Sequence, residues 1–253
     1  SLLCRMALFG AGMDAASYTA LRTISAAAVL CVIMRVRRQK VLHYGNRRAA
    51  LALFLYMACF SWAYVNLSAA AGALVIAVAV QVSMVGAGMV LGQRPSRAQV
   101  LGISLALAGL VYLLLPGLDA PPLWPAAIIF FSGVSWAAYT LCGRNNSDPV
   151  AATAGNFVRC LPLIPLLLLP VWLWPAAWGA EGGLSLPLTG LVCALAAGGL
   201  ASGLGYVLWY AVLPRLSVPS AAVVQLSVPL ITALGGVLFM DEAFSLRLGI
   251  STA

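Results

Sequence analysis

Residues 69–91 read AAAGALVIAVAVQVSMVGAGMVL and contain no charged side chain over 23 consecutive positions. An α-helix rises about 1.5 Å per residue, so a helix of this length crosses the hydrocarbon core of a bilayer, which is about 30 Å thick. The stretch therefore predicts a transmembrane helix. Runs of this kind predict eight complete spanning helices, at Ala15–Met34, Ala49–Leu67, Ala69–Leu91, Ala98–Leu115, Pro125–Cys142, Val150–Trp174, Leu186–Leu213 and Val218–Met240.

The composition extends this prediction to the whole chain. Of the 253 residues, 63% are hydrophobic and 8% are charged, whereas soluble proteins carry about 25% charged residues. We therefore expect an all-α integral membrane protein, and the composition excludes a soluble globular domain.

Two shorter apolar segments flank the eight runs. Ser1–Gly12 and Phe244–Ala253 are each too short to cross a bilayer. We interpret the first as the end of a helix 1 and the second as the start of a helix 10. The intact protein is then expected to have ten helices, and this chain to lack most of helix 1 and of helix 10.

The basic residues lie mainly in the loops and predict the orientation in the membrane. Ten of the 14 fall on one side, and the positive-inside rule makes that side cytoplasmic. We expect a multi-pass protein of the cell membrane with both ends in the cytoplasm. This topology also accounts for the net charge of +8, so nucleic acid is not an expected partner. The ten residues are Arg35, Arg37, Arg38, Lys40, Arg47, Arg48, Arg94, Arg97, Arg144 and Arg215.

Residue types that commonly carry catalysis or bind metals are sparse. The six cysteines stand singly in or beside apolar runs, and the one histidine, His43, lies in a basic loop. Neither a metal site nor an enzyme active site can be assembled from this pattern. The sequence predicts that the protein is not an enzyme and carries no metal or cofactor.

Internal similarity divides the chain into two halves. Residues 14–22 resemble residues 148–159, and the sequence Leu-Gly-Ile-Ser occurs at both 101–104 and 248–251. Each half then holds five helices, and an odd number of crossings inverts the second copy relative to the first. We expect two inverted repeats, residues 1–116 and 123–253, in a monomeric chain that forms an internal pseudo-dimer. Inverted repeats are typical of secondary transporters, which bind a solute where the repeats meet.

Five stretches of the second half form a pattern of their own, namely Gly133–Tyr139, Gly205–Tyr210, Val228–Leu230, Gly235–Ser245 and Leu248–Ile250. This pattern resembles the EamA-like permeases of the drug/metabolite transporter superfamily. The resemblance implies ten helices, a central cavity, and export or uptake of small metabolites.

The first half departs from the family pattern at two places. Gln93 stands where the family usually has Glu, and the first half has no proline matching Pro229. The departure weakens any role of that Glu in coupling, but it leaves the expected fold unchanged.

Polar side chains inside the apolar runs are candidate substrate contacts, because they are costly at membrane depth unless they face a cavity. Two Gln-x-Ser elements offer both donors and acceptors, and a proline after the second frees a carbonyl oxygen. Interhelical bonding and an interfacial aromatic belt are the alternative interpretations. The candidates are Gln81, Ser83, Gln225, Ser227 and Pro229, with the aromatic residues Trp62, Tyr64, Trp136, Tyr139, Trp209 and Tyr210.

Arg22 and Arg159 are the charged residues that lie well inside complete predicted helices. Each is a candidate for binding a substrate carboxylate or for gate contacts with backbone carbonyls, and snorkelling to the nearer interface is the alternative. The visible sequence places no Asp or Glu at mid-membrane, so it does not support proton coupling.

These features predict a secondary-active transporter of small organic metabolites that works by alternating access between the two repeats. The resemblance, with the amide and aromatic candidates, favours an exporter of amino acids or related solutes. The expected partners are a small-molecule substrate and membrane lipid. A multidrug or other metabolite permease is one alternative, and a channel or structural membrane protein is another.

Overall fold

A computed structural model describes residues 2–93, 95–114, 121–144, 146–174, 183–225 and 227–240. The regular structure in these ranges is entirely helical, which confirms the predicted all-α class. The α-helices are α1 (Leu2–Arg5), α2 (Ala15–Val36), α3 (Arg47–Asn66), α4 (Ala69–Val90), α5 (Arg97–Leu114), α6 (Leu123–Gly143), α7 (Pro149–Cys160), α8 (Leu168–Leu173), α9 (Leu188–Ala196), α10 (Gly205–Val212), α11 (Val218–Gln225) and α12 (Ser227–Met240).

Seven helical stretches within the described ranges are long and apolar enough to cross a membrane. Each overlaps one of the eight predicted runs, and the eighth run corresponds to α5, which is 18 residues long. The chain is therefore a multi-pass integral membrane protein. The seven stretches are Ala15–Val36, Arg47–Asn66, Ala69–Val90, Leu123–Gly143, Pro149–Leu173, Leu188–Arg215 and Ser220–Phe239.

Polar side chains cap the helices where the chain enters the bundle. Asp14 accepts a hydrogen bond from the backbone N–H of Ser17 at 2.8 Å and so begins α2. Asn46, Ser68 and Asp148 cap α3, α4 and α7 in the same way. A side-chain oxygen at this position satisfies a backbone donor that the helix itself leaves free. These four residues therefore fix where the long apolar helices start.

Two of the predicted runs are not regular α-helices throughout. Between α7 and α8, residues Leu161–Leu167 form a 3₁₀-helix that contains Pro165, because a proline cannot donate the hydrogen bond that continues an α-helix. Between α9 and α10, the glycine-rich residues Ala197–Leu204 form a π-helical segment, so the backbone N–H of Gly205 donates to the carbonyl of Leu200.

The last predicted run, Val218–Met240, contains α11 and α12, and Ser220–Phe239 is one helical stretch long and apolar enough to cross a membrane. Pro229 lies near the start of α12. Because proline has no backbone N–H, position 229 cannot donate to the carbonyl of Gln225.

The two flanking segments differ in what the structure describes. Helix α1 continues into a π-helical turn over Met6–Gly10, so the segment Ser1–Gly12 is helical over most of its length. Arg5 donates from Nη1 to the carbonyl of Tyr64 at 3.1 Å and ties this segment to the end of α3. The segment Phe244–Ala253 lies outside the described residues.

The core of the bundle forms where α3 and α4 pack against α6, and where α2 packs against the π-helical segment. Small residues allow the closest approaches. A Cβ atom on Gly133 of α6 would lie 2.6 Å from the Cβ atom of Ala79 and 2.8 Å from the carbonyl oxygen of Ile76. Since α4 and α6 meet at backbone distance there, the side chains further along both helices converge on one region.

Much of the outer surface is apolar. Large hydrophobic side chains such as Val36, Trp172, Leu200 and Leu208 are exposed, Trp172 to 84%. Side chains of this kind on the outside of a bundle are solvated by lipid, which is consistent with the membrane assignment.

Candidate functional site

Arg22 is a buried cation near the middle of the bundle. Its side chain belongs to α2 and is 6% exposed. Nε donates to the hydroxyl of Ser202 at 2.9 Å, and Nη2 donates to the hydroxyls of Tyr206 at 3.0 Å and Tyr56 at 3.4 Å. Three helical elements besides α2 therefore hold the guanidinium in place: α3, the π-helical segment and α10.

Aromatic rings flank the same guanidinium. Its Cζ atom lies 5.5 Å from the ring centroid of Tyr56 and 5.4 Å from that of Phe60. Both rings come from α3, where a spacing of four residues places them on one face of the helix. The negative faces of aromatic rings stabilise a cation at this distance.

The positive charge of Arg22 has no neighbouring negative charge in the part of the chain that the structure describes. Its hydrogen-bond partners are neutral hydroxyls, and Nη1 is buried without a protein partner among the described residues. A buried charge is costly unless it is paired. The site therefore has the chemistry to attract an anion.

A cavity of about 290 Å³ adjoins Arg22, and we call it the arginine cavity. It lies between α1, α2, α3, the π-helical segment and α12. Its lining residues are Leu2, Leu3, Cys4, Tyr18, Arg22, Tyr56, Phe60, Ala197, Ala201, Ile231 and Thr232.

A second cavity of about 190 Å³ lies on the other side of Tyr56 and Phe60, and we call it the aromatic cavity. It is bounded by α3, α4, α6, α10, α11 and α12. Tyr56 and Phe60 line both cavities and so form a shared wall. The lining residues of the aromatic cavity are Tyr56, Phe60, Ala73, Ile76, Ala77, Val80, Trp136, Tyr206, Gln225 and Val228.

Ring contacts connect the aromatic residues of this cavity. The ring centroid of Trp136 lies 4.9 Å from that of Tyr56 and 4.8 Å from that of Tyr206. The ring centroid of Tyr139, which does not line the cavity, lies 5.8 Å from that of Trp136. Because Tyr206 also binds Arg22, one set of side chains links the two cavities.

Gln225 brings the only amide of the described lining residues to the aromatic cavity. Its Oε1 accepts a hydrogen bond from Trp136 Nε1 at 2.6 Å. Its Nε2 donates to the carbonyl of Ala221 at 3.3 Å and contacts the sulfur of Met84 at 3.4 Å. The amide is thus held in one orientation, with partners on α6, α11 and α4.

The remaining Gln and Ser candidates are placed differently. Gln81 is 1% exposed, and neither of its amide atoms has a hydrogen-bond partner among the described residues. It lines neither of the two cavities. Ser83 is half-buried on α4. Ser227 is exposed and donates to the carbonyl of Val224, and Pro229 is buried on α12.

Four aromatic candidates also lie away from the cavity walls. Tyr64 donates from its hydroxyl to the carbonyl of Ala69 at 3.2 Å and braces the turn between α3 and α4. Tyr210 donates to the carbonyl of Tyr139 at 3.2 Å and so holds α10 against α6. Trp62 and Trp209 are half-buried at the edge of the core.

Arg159 occupies a different environment from Arg22. It donates to the carbonyls of Tyr44, Leu42 at 2.7 Å and Gly155 at 2.9 Å, and two of these lie in the α2–α3 loop. The structure therefore does not bring the two arginines together: Arg22 adjoins a cavity, and Arg159 binds the backbone of a loop.

Sequence reasoning did not single out Tyr56, Phe60 or Ser202, although all three contact Arg22. Tyr56 and Phe60 carried a signal in their spacing of four residues in a run that also contains a more conspicuous tryptophan. No signal in the sequence pointed to Ser202, because the contact of its side chain with Arg22 depends on the π-helical segment in which it lies. Within the described ranges, no three His, Cys, Asp or Glu side chains are placed to hold a metal ion.

Comparison with known proteins agrees with this architecture. An uncharacterized protein of Pseudomonas aeruginosa is 47% identical over 253 residues, which cover 100% of this chain and 85% of that protein. A "probable terminal-alkyne amino-acid exporter" of Streptantibioticus cattleyicolor is 25% identical over 94% of this chain and 80% of its own length. An "uncharacterized transporter" of Archaeoglobus fulgidus is 26% identical over 78% of this chain and 70% of its own length.

A solved crystal structure shares the fold, with a TM-score of 0.71 and 21% sequence identity over 99% of this chain and 89% of that one. The model of the EamA-like transporter family matches the chain twice, at residues 3–115 and 123–253. The family match covers nearly the whole sequence, and it agrees with the resemblance seen in the second half. The chain therefore belongs to the EamA-like transporter family and is a multi-pass membrane transporter.

Proposed function

We propose that the protein is a secondary-active exporter of amino acids or related solutes that carry a carboxylate, and that Arg22 binds this carboxylate. The observation that carries the proposal is the buried guanidinium itself. It adjoins a cavity of about 290 Å³, it has no acidic neighbour among the described residues, and its Nη1 is left without a protein partner there.

The energetics favour an anionic ligand at this position. Neutral hydroxyls stabilise a guanidinium less than a carboxylate does, because charge-assisted hydrogen bonds are about twice as strong as neutral ones. A carboxylate that bonds to Nη1 would balance the charge at low dielectric, where the interaction between charges is strongest. The hydroxyls of Ser202 and Tyr206 keep the guanidinium oriented before the ligand arrives.

The position of the site suits alternating access. Arg22 and Tyr56 belong to the first predicted repeat, and Ser202 and Tyr206 belong to the second. A carboxylate bound there would touch the boundary between the halves, where a rocking motion can expose a site to either side of the membrane. We propose that the carrier uses this motion, with the arginine-rich loops on the cytoplasmic side of the inner membrane.

The relatives support the choice of substrate class. The protein of Streptantibioticus cattleyicolor, 25% identical to this chain, is named a "probable terminal-alkyne amino-acid exporter". An amino acid presents the carboxylate that the Arg22 site would bind, so the name of this relative and the chemistry of the site point to the same class.

Resistance of cells to toxic amino-acid analogues tests the proposal. Cells that produce the protein should grow at analogue concentrations that stop cells carrying an empty vector. Arg22→Gln should abolish the resistance, and Arg22→Lys should retain part of it, because lysine keeps the charge but loses the fork of donors. Arg215→Gln, which removes an exposed arginine near the end of α10, is the matched control and should leave the resistance intact.

Two results would overturn the proposal. One is the absence of resistance to every analogue in cells whose membranes contain the protein. The other is resistance that Arg22→Gln leaves unchanged, since the carboxylate would then bind elsewhere. Reconstituted vesicles provide a second readout, because a carrier shows counterflow of labelled amino acid and a channel does not.

A further inference from the structure

We infer that the aromatic cavity receives a neutral, apolar side group of the solute whose carboxylate Arg22 binds, and that Ala77 limits the size of this group. The inference rests on the proposed function, because it assigns the rest of the solute to a place beside the carboxylate. It predicts that apolar amino acids, up to about the size of phenylalanine, are preferred to charged or strongly polar ones.

The shared wall places the two cavities beside each other. Tyr56 and Phe60 line the arginine cavity and the aromatic cavity, and their rings also flank the guanidinium of Arg22. Tyr206 lines the aromatic cavity while its hydroxyl accepts from Arg22 Nη2 at 3.0 Å. The two cavities are thus separated by no more than the thickness of these side chains.

A second cation is disfavoured in the aromatic cavity. The rings of Tyr56 and Phe60 already stabilise the positive charge of Arg22, whose Cζ atom lies 5.5 and 5.4 Å from their centroids. An ammonium group on the other side of the same rings would be repelled by that charge at short range and low dielectric. No acidic side chain is among the described residues that line either cavity.

The polar atoms of the aromatic cavity are already engaged. Oε1 of Gln225 accepts from Trp136, and Nε2 of Gln225 donates to the carbonyl of Ala221. The hydroxyl of Tyr206 is bound to Arg22. The lining offers a polar side group few partners, whereas an apolar group meets rings and aliphatic carbons. The cavity therefore selects for apolar groups.

The volume sets the upper size of the group. A cavity of about 150 Å³ holds a benzene molecule, so about 190 Å³ accommodates a phenyl ring or a leucine side chain. Ala73 and Ala77 lie one turn apart on α4 and are the smallest side chains of the lining. Leucine at position 77 would occupy the space that a substrate ring needs.

Exchange measurements on the purified protein in vesicles test the inference. The probes are labelled phenylalanine and labelled alanine, which share the carboxylate and differ in the side group. The unmodified protein should exchange phenylalanine faster than alanine. Ala77→Leu should lower the ratio of phenylalanine to alanine exchange about tenfold, a typical effect of crowding a hydrophobic pocket, while alanine exchange persists and still depends on Arg22.

Matched variants control for folding and direction. Ala87→Leu makes the same change on the same helix at a position that lines neither cavity, and it should keep the original ratio. Val80→Ala enlarges the cavity and should raise the exchange of labelled tryptophan relative to phenylalanine.

The possible outcomes separate the two proposals. If Arg22-dependent exchange is observed but neither Ala77→Leu nor Val80→Ala alters the ratios, the assignment of the side group is overturned and the proposed function stands. If the unmodified protein exchanges neither amino acid although its cells resist toxic analogues, the present inference is overturned and the proposed function stands. If the cells gain no resistance either, both proposals fall.

Discussion

The indole nitrogen of Trp136 donates to the side-chain oxygen of Gln225 over 2.6 Å, and this bond joins α6 to α11 at the aromatic cavity. Gln225 in turn donates to the carbonyl of Ala221 in its own helix. The bond fixes the plane of the amide and the position of the indole ring together, so the shape of the cavity wall depends on both residues.

The Trp136–Gln225 bond predicts non-additive effects of substitution. Trp136→Phe and Gln225→Met should each lower the melting temperature in detergent, because each leaves a partly buried polar atom without its partner. The double variant should be no less stable than the worse single variant, with a coupling of about 1 kcal/mol. A thermal-shift double-mutant cycle measures this, and strictly additive losses would show that the bond contributes nothing.

Ser202 predicts a change in affinity rather than in folding. Its hydroxyl accepts the hydrogen bond of Arg22 Nε at 2.9 Å, so Ser202→Ala should leave the guanidinium less firmly oriented. We expect the KM for a carboxylate solute to rise several-fold, corresponding to a loss of about 1 kcal/mol. Ser104→Ala is the control, since Ser104 is exposed on α5 and bonds within its own helix. An unchanged KM for Ser202→Ala would remove Ser202 from the site.

The close packing around Gly198 predicts that a larger residue at this position would disrupt the contact between α2 and the π-helical segment. A Cβ atom at this position would collide with the carbonyl oxygen of Arg22 and the hydroxyl of Ser25, so α2 would have to move away. Gly198→Ala should destabilise the protein by about 1–3 kcal/mol or more. Gly205→Ala should be tolerated, because its nearest neighbour would lie at 3.7 Å. Size-exclusion profiles and melting temperatures compare the two, and equal stability would contradict the close approach.

Arg159 predicts a local change in the loop between α2 and α3. Its guanidinium binds the carbonyls of Tyr44 and Leu42, so Arg159→Gln should release that backbone. Hydrogen exchange of the amides over residues 41–46 should become faster, while Arg215→Gln should leave it unchanged. Unaltered exchange in Arg159→Gln would mean that other contacts hold the loop.

The membrane fold could be predicted from the sequence because its signals are long and local. An uncharged run such as residues 69–91 has one stable conformation in lipid. Composition and run length therefore indicated the class and nearly all of the helix positions. The departures from a regular α-helix within two runs depend on proline and on glycine-rich packing, which hydropathy does not report.

The candidate site was predicted less completely, because its geometry depends on contacts between distant helices. Arg22, Trp136 and Gln225 were chosen for polarity or ring size inside apolar runs, and all three line the cavities. Polarity alone does not separate them from Ser227, which donates to the nearby carbonyl of Val224, or from Arg159, which binds a loop. Tyr56 and Phe60 were missed because their role comes from the arginine on another helix.

The π-helical segment Ala197–Leu204 has a consequence for how sequences of this kind are aligned. Each residue of an α-helix turns the chain by about 100°, so removing one residue from the segment to restore regular winding would rotate everything beyond it by about that angle. Tyr206 would then point away from Arg22, although its neighbours in sequence would be unchanged. A one-residue gap placed in this segment during alignment would thus assign the hydroxyl that binds Arg22 to the wrong column.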